Sequence, residues 1–90
     1  MTTIEQCVDE CRQCAGLFRL GRDVEAALDM VEVFEGAQQL LMSAPATVQQ
    51  DWALVLTQMF DCQERQDWLG LADWMEYELI EVLQKARSSN

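Results

Sequence analysis

Ile4, Cys7, Cys11, Cys14 and Phe18 follow one another at intervals of three and four residues, with Val8 and Ala15 beside them. This is the seam of an amphipathic helix, and the spacing predicts one over 3–18 with Thr2 or Thr3 as its cap. Arg19-Leu20-Gly21-Arg22 interrupts the period. It supplies a glycine for a C-terminal cap and cations for the negative end of the helix dipole, and Asp23 stands ready to cap a second helix over 23–43. There the polar positions Glu25, Asp29, Glu32, Glu35, Gly36, Gln39 and Ser43 form a narrow stripe. The rest is an apolar arc of roughly 200°, holding Val24, Ala27, Met30, Val31, Val33, Phe34, Ala37, Leu40 and Leu41.

Ser43-Ala44-Pro45-Ala46-Thr47 is the clearest stop, because proline cannot continue a helical ladder, and Thr47 with Gln50 has the spacing of a capping box. A third helix is expected over 48–65, with Trp52, Val55, Leu56, Met59, Phe60 and Cys62 on its apolar face and Asp51, Gln58, Asp61, Glu64 and Arg65 on its wet one. Arg65-Gln66-Asp67 is a weaker break, with an N-cap candidate at Asp67 and a glycine only afterwards, at Gly70. Two readings stand: a separate fourth helix over 67–87, or one long kinked helix. The stripe Leu71, Ala72, Met75, Leu79, Val82, Leu83 and Ala86 is regular, Lys85 and Arg87 suit its last turn, and Ser88-Ser89-Asn90 is expected to fray. No repeat and no period-two strand pattern occurs. Short links force neighbouring helices to run antiparallel, so the expected fold is all-α: an up-down bundle of four helices in one domain, 1–90.

Charge narrows the function. Sixteen acidic residues stand against six basic ones, a net charge of −10, and such a field repels phosphate backbones and anionic lipid headgroups. Nucleic acid and membrane are poor partners. Half of the 90 residues are apolar, too many for a disordered chain. The absence of histidine removes the commonest general base and the usual zinc ligand, so neither an enzyme nor a cofactor is expected. The opening Met-Thr-Thr-Ile-Glu-Gln-Cys has no basic region followed by an apolar run, which argues against a signal peptide. A cytoplasmic protein with reduced thiols is the expectation.

Candidate chemistry is sparse. Cys7, Cys11 and Cys14 lie on one helical face and, with Cys62 and a nearby Met59 or Met75, could bind a soft ion such as Cu(I); the simpler reading is four small buried hydrophobes. Their one-helix arrangement resembles the cysteine-rich four-helix copper-storage proteins, which carry thiols on several helices. Glu25, Asp29 and Glu32, and likewise Asp73, Glu76 and Glu81, stack along helix faces, which suits a solvated acidic surface or the docking of a basic segment. Trp68 is expected inside with Met75 and Leu79. Trp74 and Tyr77 are expected on the opposite, acidic side, flanked by Leu69 and Ile80, with the composition of an interface anchor. The second helix offers more apolar surface than a small bundle can bury, so either a homodimer or a client helix is expected across it. The partner-binding residues inferred are Met30, Val33, Leu40, Trp74, Tyr77 and Ile80.

Two stretches, Gly21-Arg22-Asp23-Val24-Glu25-Ala26-Ala27-Leu28 and Asp67-Trp68-Leu69-Gly70-Leu71-Ala72-Asp73-Trp74-Met75-Glu76-Tyr77-Glu78-Leu79, resemble small uncharacterised bacterial helical proteins encoded with flagellar genes. More loosely, they are similar to flagellar export chaperones, themselves acidic helical bundles. The resemblance implies a cytoplasmic chaperone or adaptor that lays an amphipathic or basic segment of its client into an apolar groove. Two other classes fit the same residues: an acidic immunity or antitoxin protein that blocks a basic toxin, and a thiol-based Cu(I)-binding bundle.

Overall fold

The computed structural model describes residues 3–88 and contains four helical rods: α1 (Ile4–Arg19), α2 (Asp23–Leu41), α3 (Ala46–Glu64), and a fourth built from three segments. The fourth rod runs through α4 (Trp68–Asp73), a π-helical stretch (Trp74–Leu79) and α5 (Ile80–Ser88). No strand occurs among the described residues. Thr2 as a cap and the fraying of Ser89 and Asn90 lie outside them, while Ser88 is the last residue of α5.

The ends of the rods are made in ways the spacing shows only in part. Thr3 accepts the Gln6 N–H at 3.1 Å and donates its own N–H to Gln6 Oε1 at 2.9 Å, a complete capping box. At the end of α1, Gly21 takes a φ of 77°, its N–H donates to the Phe18 carbonyl at 3.1 Å and the Arg22 N–H to that of Leu17 at 2.9 Å. Three expectations are corrected. Asp23 does not cap α2: Arg22 holds the N-cap position without a side-chain bond, Asp23 is already helical, and its Oδ1 is buried without a partner among the described residues. Thr47 and Gln50 form no capping box, because the Pro45 carbonyl already accepts from Val48 and Gln49 at 3.0 and 3.1 Å and places Thr47 inside the first turn. Gln49 instead turns back, its Nε2 donating to the Met42 and Ala44 carbonyls at 2.8 and 2.9 Å, and so closes the end of α2.

The kinked-helix alternative is the third correction. Gln66 adopts a φ of 57°; its N–H donates to Gln63 O at 3.1 Å and the Asp67 N–H to Cys62 O at 2.8 Å, a Schellman closure built without glycine. Asp67 Oδ1 then accepts the Gly70 N–H at 3.0 Å and starts α4. Helices three and four are separate.

Cross-rod pairs establish the topology. Cys7 and Cys14 of α1 face Val33 and Ala26 of α2 in reverse order. Trp52 near the start of α3 meets Gln38 near the end of α2, Lys85 near the end of the fourth rod reaches Asp51 of α3, and Arg87 reaches Glu5 at the start of α1. Each neighbouring pair is antiparallel, as an up-down bundle requires. The core runs through Phe18, Leu41, Met59, Leu71, Met75, Leu79 and Leu83, with α5 packed among α1, α2 and α3. Trp68 is half-buried at its edge and stacks on Phe18 with centroids 5.7 Å apart. No described helix is long and apolar enough to cross a membrane.

Candidate functional site

The α1–α2 seam is built from small residues. Cys7, Cys11, Cys14 and Ala15 on α1 and Ala26, Gly36 and Ala37 on α2 are all buried, so the two rods approach closely. The Cys14 thiol donates to the Ala26 carbonyl at 3.2 Å across this seam. On its other side α2 meets α3 through large side chains, and the backbones of these two rods approach each other only sparsely. Drawn toward α1 and held off α3 by rings, α2 leaves an open groove of about 380 Å³ between α2 and α3.

Phe34, Trp52, Leu56 and Phe60 make the apolar surface of this groove, and Glu35, Gln38 and Gln39 its polar lip. Phe34 sits edge-on to Trp52 at 6.2 Å and to Phe60 at 5.8 Å. Trp52 Nε1 donates to Gln38 Oε1 at 2.8 Å, so the indole is fixed in orientation and its one polar atom is satisfied. Phe60 is 49% exposed, unusual for a phenylalanine in a small bundle. Toward the start of α2, Val31, Leu28 and Val24 are 55%, 68% and 77% exposed. The excess apolar surface inferred from the wide arc of α2 is therefore present, at Val24 and Val31 of that arc and at Leu28 beside them, but not at the residues of the arc singled out for partner binding.

Met30, Val33 and Ile80 are corrected: all three are buried in the core and cannot meet a partner on the folded surface. Met30 and Val33 lie on the edge of α2 turned inward by its packing against α1, whereas Ile80 is enclosed because α5 has rods on three sides. Leu40 is half-buried against the core. Gly36, assigned to the wet stripe, is buried as well. Trp74 and Tyr77 do not form one anchor. Trp74 is half-buried on the α3 side, lining a small cavity of about 150 Å³ with Leu54, Val55 and Glu78. Tyr77 is exposed on the α1 side, with the Arg19 guanidinium 6.0 Å from its ring centre. The wider turn of the π-helical stretch opens the angle between these two positions.

Arg19 also donates to Asp73 Oδ1 at 2.8 Å and lies 2.9 Å from Glu76 Oε2, so two of the stacked carboxylates clasp the end of α1. The four cysteines are unbridged and buried. Hydrogen bonding with Cys7 and burial push the Cys11 thiol far up, and burial with the charge of Asp29 pushes Cys14 up to about 12. Thiols held this firmly in the protonated form are poor nucleophiles and poor ligands. Among the described residues no group of three or more His, Cys, Asp or Glu side chains is arranged to hold a metal ion.

The groove residues Trp52, Leu56 and Phe60 carry a signal that core assignment hid. They recur every four residues, so they drift around α3, and the last of them leaves the core face. No protein-family model matches the chain, and neither the curated proteins nor the solved structures contain a match.

Proposed function

We propose that this chain is a non-catalytic protein-binding module, of chaperone or adaptor type, that receives an apolar-faced segment of a partner in the groove between α2 and α3. The observation that carries this reading is the open apolar surface of Phe34, Leu56 and Phe60, beside three exposed aliphatic side chains of α2. Contiguous apolar surface of this kind costs solubility and is typical of binding sites. Perturbed thiols are buried rather than placed in a cleft, so they favour packing over chemistry. The flagellar resemblance leads to the same class.

Amide exchange with a cognate partner tests the assignment. Protection is expected at 31–39 and 52–63, and is expected to disappear in Phe60→Glu, a partly exposed site whose change leaves the core intact. Protection confined to another face, with the groove still exchanging freely, would overturn it.

A further inference from the structure

We infer that the occupant of the α2–α3 groove is a basic amphipathic helix, a conclusion that rests on the binding reading above and adds the chemistry of the partner. The shape comes first. The groove lies between two antiparallel rods, and toward the start of α2 the side chains of Val31, Leu28 and Val24, which step back from Phe34 by three, three and four residues, are exposed as well. A groove between two rods suits one further helix, whose apolar side chains at helical spacing would enter it.

Charge selects the kind of helix. All six cations already have an acidic partner within 4.0 Å: Arg12 with Asp9, Arg19 with Asp73 and Glu76, Arg22 with Glu25, Arg65 with Asp61, Lys85 with Asp51 and Glu81, and Arg87 with Glu5. Glu35 and Glu64 have no cation within that distance among the described residues. Glu35 is on the lip of the groove, and Glu64 stands one turn beyond Phe60 on the opposite rod. A helix seated on Phe34, Leu56 and Phe60 thus meets carboxylates at both margins. Lysine or arginine on its flanks is complementary there. A second copy of this chain would instead bring another net charge of −10 against the same margins.

The test uses two synthetic helices of about 20 residues that share one leucine stripe, with lysine on the flanks of one and glutamate on the flanks of the other. Binding to the full chain is measured by calorimetry and its oligomeric state by sedimentation. The lysine helix is expected to bind, and to weaken about tenfold or more between roughly 50 mM and 0.5 M salt. Phe60→Glu is the decisive variant. It adds negative charge, so mere attraction of a cation would strengthen, whereas seating in the groove is lost. Leu69→Glu, a control at an exposed leucine on α4, should bind like the parent, and circular dichroism checks that both variants fold. Equal binding of both helices, or an unchanged affinity in Phe60→Glu, would overturn the basic partner while leaving the groove as a binding site in the first case only. Binding of neither helix by a chain that dimerises through the groove would replace the partner with a second copy. Binding of neither by a monomer would remove the binding reading too.

Discussion

Gln66 occupies the left-handed region at a φ of 57°, in the same closure that Gly21 makes at 77°. The two turns have the same hydrogen-bond pattern, and only one has the residue that adopts it without steric cost. Gln66→Gly is therefore expected to stabilise the fold by about 1 kcal/mol, seen as a higher urea midpoint with an unchanged slope. Cys14 is sensitive to pH in a direction that burial dictates. Cys14 ionises near 12 when folded and near its ordinary value of 9.0 when unfolded. The unfolded chain alone then loses the proton between those values, so the contribution is complete below pH 9 and declines as pH rises above it. Urea midpoints measured from pH 7 to 11 should fall on the alkaline side, and less steeply in Cys14→Ala. Ellman's reagent should count four thiols in denaturant and react slowly with Cys11 and Cys14 in the native protein.

Among the elements, the fourth rod departs most from a regular helix. Its π-helical stretch is anchored at one end by Arg19, which reaches Asp73, Glu76 and the Tyr77 ring from the end of α1. Arg19→Ala is expected to cost about 1 kcal/mol and to speed amide exchange at 73–79 before the rest of the rod. Uniform acceleration along the whole rod would assign the π geometry to core packing alone. The four rods themselves were legible from periodicity, since Cys7, Cys11, Cys14 and Phe18, and later Leu71, Met75, Leu79 and Leu83, repeat at helical spacing and are all buried. The site was legible only as a surplus. The width of the apolar arc of α2 indicated that some of it lies uncovered, but which edge faces outward depends on the close α1–α2 seam. Small residues at the seam rotate Met30 and Val33 inward and leave Val24, Leu28 and Val31 out. Helix ends followed the same division: Thr3 and Gly21 act through chemistry visible in the sequence, whereas Gln66 and Gln49 serve through contacts that exist only once neighbouring turns are in place.

At the scale of the molecule, folding and binding should respond to salt with opposite signs. The chain carries a net charge of −10, and its six cations are already engaged in ion pairs that are mostly well exposed and individually weak. The dominant electrostatic effect on the fold is therefore repulsion among the remaining carboxylates, among them Glu10, Asp29 and Glu32 around one shallow pocket on the α1–α2 surface. Screening relieves it. Sodium chloride raised from about 20 mM to about 0.3 M, where the screening length shortens from roughly 20 Å to under 10 Å, is expected to raise the melting temperature by a few degrees. The same change is expected to loosen a basic helix in the α2–α3 groove, because there the carboxylates attract rather than repel. If the melting temperature fell with salt, the ion pairs of Arg19 and Arg87 between rods would outweigh the repulsion, and the surplus of negative charge would no longer count as a net cost to the fold.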